Sequence, residues 1–359
     1  MHLDSLVLKN YRSYETLSVK FSGGINILQG KNAAGKTNVL EAIGFLSFGK
    51  SFRTQRDTEC IREGQQSAYV KGAVTRAQGQ LFVEALLSAE DKKSLKVNSE
   101  PARRMGELFG NFIAVVFSPE DIKVLKESPS LRRRFVDMEI SKLRPAYFFE
   151  LQEYQKALAQ KNALLKSKIK EEQLKKLVSI YNEQLCAHGE KIIRARQEFL
   201  GRIGAISRDI HSSLSGGEAL SLKYKASVPV DGNVKQALYD RMDKSLTSEI
   251  EQGFTLYGPH REDIAVHLEG AEIKAYSSQG QIRTAMLSLK LATLEAANAD
   301  FGESAVLLLD DVFSELDEAR QAALLERIKG AQCFITTATP VKKPIGKVYT
   351  VAQGTVTER

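Results

Sequence analysis

Apolar and polar residues alternate at the start of the chain, over Leu3-Asp4-Ser5-Leu6-Val7-Leu8 and again around Val19 to Phe21. Both stretches predict strands of an N-terminal sheet that feeds the apolar run Ile25-Asn26-Ile27-Leu28. The same period of two runs through Ala68–Thr75 and Leu81–Leu87, separated by Gly79, and predicts a hairpin on that sheet. Phe112–Phe117 is apolar throughout, as a strand covered on both faces is. Ser118-Pro119-Glu120-Asp121 then carries a capping serine, a first-turn proline and early acids, the marks of a helix start.

Beyond Pro145 the period lengthens. Tyr147, Leu151, Tyr154, Leu158, Leu165 and Ile169 recur at helical spacing, as do Tyr181, Leu185, Ile192, Ala195, Phe199, Ile203, Ile206 and Ile210. Two helices folded back on each other are expected, with the turn in the charged section Lys166–Lys176 and a first helix about 35–40 Å long. After Gly216-Gly217 alternation returns at Leu220, Leu222, Tyr224 and Ala226, followed by a helix over Val234–Glu251 and a strand over Ile264–Leu268. A helix after Gly280, the buried strand Ala305–Leu309, a helix over Glu318–Ile328 and the strand Cys333–Thr337 complete the pattern.

Composition adds limits. The 359 residues carry a net charge of +7, which permits a nucleic-acid partner without requiring one. No apolar run approaches the ~18 residues of a membrane span, and Met1-His2-Leu3-Asp4 lacks a signal peptide's order, so no membrane association and a cytoplasmic location are expected. Cys60, Cys186 and Cys333 are scattered and read as packing thiols.

Chemistry is concentrated in Gly30-Lys31-Asn32-Ala33-Ala34-Gly35-Lys36-Thr37, a complete Gly-x-x-x-x-Gly-Lys-Thr loop between a strand and a helix. Gly30, Lys31, Asn32, Ala33, Ala34, Gly35, Lys36, Thr37 and the following Asn38 are the expected nucleotide contacts. Backbone N–H groups wrap the phosphates, the helix N-terminus adds partial positive charge, and Lys36 reaches the outer phosphates of ATP. Thr37 is the candidate Mg²⁺ ligand. The apolar strand ending in Asp310-Asp311 supplies the second half of such a site, with Asp310 holding the metal or its water and Asp311 orienting or deprotonating the attacking water. Lys36 and Asp311 are therefore the candidate catalytic residues, and Thr37 and Asp310 the metal pair.

The order of phosphate loop, Ser277-Ser278-Gln279-Gly280-Gln281, Asp310-Asp311 and Ser314-Glu315-Leu316-Asp317 resembles ABC-type and SMC-type ATPases. Within them the chain is similar to the RecF family at Lys9–Tyr14, Lys50–Thr54, Phe117–Asp121, Arg132–Phe135 and Gly258–Asp263, a likeness over essentially the whole length. The resemblance implies an α/β fold: an ABC-type P-loop ATPase head, a mixed sheet with flanking helices, and an inserted, mostly helical second lobe. Residues 1–122 and 253–359 are expected to form the ATPase lobe and 123–252 the insertion. It also implies ATP-dependent homodimerisation, binding to double-stranded and gapped DNA, and cooperation with RecR and RecO in recruiting RecA. Ser278, Gly280 and Gln281 become contacts to the partner's nucleotide, and Arg53 matches the arginine loop that links DNA contact to the ATP site in SMC heads.

Leu214-Ser215-Gly216-Gly217-Glu218 spells an ABC signature more literally, yet its glycines close a helix instead of opening one. Departures from the ABC pattern are also present. Asp311 stands where a glutamate base is usual, Phe334–Thr337 ends in threonines in place of a switch histidine, and no Q-loop glutamine is evident after Phe117. They imply weak, DNA-dependent ATP hydrolysis with ATP binding intact. A transporter's nucleotide-binding subunit or an SMC-like structural protein shares the ATP motifs, but the first usually carries the switch histidine and the second far longer coiled arms. Arg132-Arg133-Arg134 and Lys166–Lys176 are the basic candidates for phosphate contact, while His260 and Arg261 suit either function or a brace.

Overall fold

The alternating N-terminal segments form strands His2–Tyr11 and Tyr14–Lys20 of a six-stranded antiparallel sheet. The hairpin Ser67–Arg76 and Gly79–Ser88 joins it, as expected, through pairing of Ser67–Arg76 with His2–Tyr11. Ser94–Val97 and Glu100–Pro101 complete the far edge. The computed structural model describes residues 1–167, 169–339 and 345–359, so Lys168 of the expected basic turn lies outside the described residues.

Ile25–Gln29 does not continue that sheet. It enters a second one, ordered Thr355–Glu358, Lys347–Ala352, Ile25–Gln29, Cys333–Thr337, Val306–Leu309, Ala114–Phe117, in which all neighbours are parallel except the first pair. Cys333–Thr337, Val306–Leu309 and the edge strand Ala114–Phe117 are buried at every residue, which their largely apolar sequences anticipate. Helix Lys36–Phe48 is buried at every residue from Val39 to Phe48, because it lies between the two sheets and packs against strands of each.

Residues 1–122, 206–218 and 278–359 make one compact unit, and residues 123–205 and 219–277 make another. The expected break at residue 253 differs from this division, since 253–277 cluster with the second unit and 206–218 with the first. The second unit holds helices Pro129–Leu143 and Pro145–Leu165 and the antiparallel strands Leu220–Lys225, Asp263–Leu268 and Ala271–Glu272. Leu165, Leu174 and Val178 pack with Leu164, Leu246 and Ile250 there.

The helical stretch departs from expectation in length. Its first helix has 21 residues, about 32 Å, while the second, Glu171–Ser215, has 45 residues, about 68 Å, because nothing interrupts it before Gly216-Gly217. The helix expected over Val234–Glu251 is two, Val234–Lys244 and Leu246–Gln252, divided at Ser245. The C-terminal hairpin Lys347–Ala352 and Thr355–Glu358 went unpredicted, although Gln353-Gly354, both at positive φ, is a turn of the type that closes hairpins.

Candidate functional site

The parallel sheet delivers three strand ends to one edge, where the phosphate loop follows Gln29, the acidic pair follows Leu309, and Thr336-Thr337 end their strand. Ligands of α/β sheets gather at this carboxyl edge. Gly30 N–H donates to Thr337 O at 3.2 Å, tying the loop to the neighbouring strand. A Cβ on Gly30 would lie 2.3 Å from Val351 O, so no larger residue fits beside the C-terminal hairpin. Gly35 caps the helix at φ 104, a conformation that L side chains rarely adopt, and Tyr14 Oη donates to its carbonyl at 3.1 Å.

Lys31, Asn32 and Ala33 are exposed, and the loop leads into the N-terminus of a 13-residue helix whose first amides have no intrahelical acceptor. Lys36 is buried and folds back, donating from Nζ to Gly30 O at 2.8 Å and Lys31 O at 2.9 Å. Burial lowers its pKa, while Asp311 and Asp310 act in the opposite direction. The side chain thus sits over the loop, where a phosphate oxygen can exchange with the two carbonyls as its partner.

Thr37 Oγ1 donates to Asp310 Oδ1 at 2.8 Å, bringing together the two candidate metal ligands from positions 273 residues apart. Thr336 Oγ1 donates to the same carboxylate oxygen at 2.7 Å and accepts the Asp311 N–H at 2.8 Å. Burial raises the pKa of Asp310 against the lowering effect of both hydroxyls. A buried carboxylate beside a threonine hydroxyl is a hard-oxygen donor pair of the kind Mg²⁺ takes together with phosphate oxygens and water, so the residues fit that ion. Asp311 is exposed and left-handed at φ 51, held by the Thr336 bond at its N–H and the Ser314 hydroxyl at its carbonyl. The Thr336 hydroxyl joins the two acids, and Thr337 Oγ1 instead turns to Thr339 O.

One further residue of this site escaped the sequence. Glu41, fully buried one turn after Thr37, accepts from Arg12 Nε at 2.8 Å and Nη2 at 2.6 Å, from Ser51 Oγ at 2.5 Å and from Arg53 Nη1 at 3.4 Å. Arg53 also donates to Asn38 Oδ1 at 3.0 Å, so the arginine is tied to the first two turns of the phosphate-loop helix. A lone acid within the apolar stretch Val39–Phe48 was the available signal.

Ser278 caps helix Gln279–Phe301 in a reciprocal box, with Ser278 Oγ accepting from Gln281 N and Gln281 Oε1 accepting from Ser278 N. Ser278 and Gly280 are exposed at this helix start. Leu214–Glu218 instead ends a helix, with Gly216 at φ 79, Gly217 at φ 118, and Gly217 N–H bonded to Ser212 O.

Two of the three clustered arginines are structural. Arg132 is buried in a two-pronged pair with Asp263, Arg133 donates to Glu262 O, and Arg134 alone of the three is exposed. His260 accepts from Tyr154 Oη at Nδ1, 2.7 Å away, and its Nε2 lies 3.2 Å from Thr255 O. Burial first of all lowers its pKa to about 4, so the neutral ring is the form built into the second unit. Arg261 lies over the Phe254 ring, 4.8 Å from its centre, and the two residues brace that unit internally.

Among the described residues no helix is long and apolar enough to cross a membrane. Residues 2–353 match the model of the RecF/RecN/SMC N-terminal domain. The DNA replication and repair protein RecF of Alkaliphilus oremlandii (strain OhILAs) is 41% identical over 344 residues, covering 94% of this chain and 93% of that protein. A solved structure of the recombination mediator protein RecF-ATP in the RecFOR pathway superposes with a TM-score of 0.93 at 36% identity, covering 100% of this chain and 97% of that one. Its RecF-ATPrS counterpart gives 0.91 at 35% identity, covering 99% and 98%.

Proposed function

The chain belongs to the RecF family, within the RecF/RecN/SMC N-terminal domain group, and from that premise we propose that it is an ATP-gated, dimeric DNA clamp of recombinational repair. The observation that carries this reading is the convergence of Thr37, Asp310, Thr336 and Asp311 at the phosphate loop, a complete set for ATP and Mg²⁺. Two copies bind ATP between them, each presenting Ser278, Gly280 and Gln281 to the nucleotide on the other's loop. The exposure of the capped helix start supports this, because only an accessible N-terminus can meet a phosphate held by a second copy.

In this mechanism the loop amides and Lys36 bind and orient the phosphates, and Thr37 and Asp310 hold Mg²⁺. When bound, the ion supplies neutralisation of the phosphate charge. Asp311 orients the attacking water and accepts its proton, while Thr336 fixes both acids. With threonines, Thr336 and Thr337, ending that strand in place of a histidine, hydrolysis is slow and serves release from DNA. The dimer holds duplex and gapped DNA in the cytoplasm through phosphate contacts, and RecR and RecO join it in recruiting RecA. Relatives named for DNA replication and repair, and the RecF-ATP structure in the RecFOR pathway, support that setting.

Light scattering with ATP and with ADP tests the dimer, beside gel shifts on duplex and gapped DNA. ATP is expected to give the dimer and strengthen DNA binding; a chain that stays monomeric with ATP overturns the reading.

A further inference from the structure

The signature look-alike is not idle. Its last residue, Glu218, accepts a hydrogen bond from Gln281 Nε2 at 2.7 Å, while Gln281 Oε1 accepts from Ser278 N at 2.9 Å. Both ends of the Gln281 amide are therefore occupied, which fixes its rotamer and the sense of its amide. Glu218 is itself located, since its N–H donates to Ser215 Oγ at 3.0 Å, and Ser215 Oγ in turn donates to His211 O at 2.7 Å. The buried His211 ring lies with Nε2 3.5 Å from Glu218 Oε2 and Nδ1 3.2 Å from Ser288 Oγ, on the signature helix two turns further along.

We infer that Glu218 is a positioning residue that sets the Gln281 amide, and through it Ser278, for the nucleotide held by a second copy. This rests on the ATP-gated dimer proposed above. Without Glu218, Gln281 Nε2 loses its partner and the side chain regains rotamer freedom that dimerisation must then remove. Two copies contribute this twice per dimer, so the dimerisation constant falls by about tenfold. ATP binding by the separate chain is set by Gly30–Thr37 and does not change.

The test compares Glu218→Ala, Glu218→Gln and Gln281→Met, by fluorescent-ATP titration at dilutions where the chain is monomeric and by light scattering with ATP. Glu218→Ala should dimerise about tenfold less well, with ATP affinity within about twofold of the parent, a change below 0.5 kcal/mol. Glu218→Gln keeps an oxygen for Gln281 Nε2 and should restore the dimer. Gln281→Met should show at least the loss of Glu218→Ala, and adding Glu218→Ala to it should cost nothing more. Glu218→Ala dimerising like the parent, or Glu218→Gln as defective as Glu218→Ala, overturns the inference while leaving the ATP-gated dimer standing. If Glu218→Ala does not fold, Gln281→Met decides, and parental dimerisation by it overturns the inference. A parent chain that does not dimerise with ATP overturns both.

Discussion

Thr336 donates its hydroxyl to Asp310 Oδ1 at 2.7 Å, from a strand hydrogen-bonded beside the one that ends in the aspartate. Thr336 Oγ1 also accepts the Asp311 N–H, so one buried hydroxyl sets the candidate metal ligand and the backbone of the candidate base together.

Thr336→Val keeps the shape of the side chain and removes both bonds. Stability is expected to fall by about 1–3 kcal/mol, the usual cost of leaving buried polar groups without a partner. ATP turnover should fall with it while ATP affinity stays close to the parent's. Thr336→Ser should recover turnover. Thermal unfolding and steady-state phosphate release check the pair, and an unchanged turnover in Thr336→Val contradicts the role.

Much of this site was legible in the sequence because contiguous motifs carry their own geometry. Gly30–Thr37 specifies strand, loop and helix, and Ser278–Gln281 has the spacing of a capping box. What stayed hidden depends on tertiary pairing. Nothing local to Glu41 or Thr336 says that one gathers Arg12 and Arg53 and the other joins two acids. The run Arg132–Arg134 misled for the same reason, since the Asp263 carboxylate that pairs with Arg132 and the Glu262 carbonyl that accepts from Arg133 are some 130 positions away along the chain.

Asp310 carries a pKa raised by burial, so the folded chain without nucleotide holds a proton there over a window that starts in the ordinary carboxylate range and extends above it. Stability from this group is present at low pH and declines as pH rises through that window. Asp310→Asn removes the cost of the buried charge while its Oδ1 can still accept from Thr37 and Thr336. The variant's Tm without nucleotide is therefore expected to exceed the parent's at pH 7, with the difference shrinking towards pH 4. Stabilisation by ATP and Mg²⁺ should be lost. A lower Tm than the parent's at pH 7 contradicts the assignment.

Ser278→Arg places a long cation at an exposed helix start meant for a second copy's phosphate. It should leave ATP binding by the monomer nearly intact and block the ATP-induced dimer. Ser215→Arg, in the helix-ending look-alike, is too blunt in charge to be silent beside Glu218, yet should weaken the dimer less than Ser278→Arg. Light scattering ranks the two, and the reverse order contradicts the choice of signature.

DNA binding is expected to be mainly electrostatic. Contact with six to ten phosphates lowers affinity by about 10³–10⁵ between 50 and 200 mM salt, with little dependence on base sequence. Arg134→Ala should reduce the salt slope by about 0.9 if it meets one phosphate. Arg132→Ala should instead destabilise the second unit, because Asp263 loses its two-pronged partner. Salt titrations of binding alongside thermal unfolding separate these outcomes.

Asp311 decides whether the protein is a timed clamp or a motor. Its side chain is one methylene shorter than glutamate and springs from a left-handed backbone fixed by Thr336 and Ser314. Thr336 and Thr337, which end the adjacent strand, are neutral, so in the proposed mechanism the transition-state charge would fall to Lys36, Mg²⁺ and the second copy's signature. Each tenfold loss in rate corresponds to about 1.4 kcal/mol, and one missing charged contact lowers turnover by about ten- to a thousandfold. Asp311→Asn keeps the shape of the side chain and removes the base. It should trap ATP, prolong the dimer on DNA and leave assembly unaltered. Phosphate release measured beside DNA dissociation checks this: turnover of many ATP per second with DNA present, or normal release by Asp311→Asn, would show that hydrolysis does not set the clamp's lifetime.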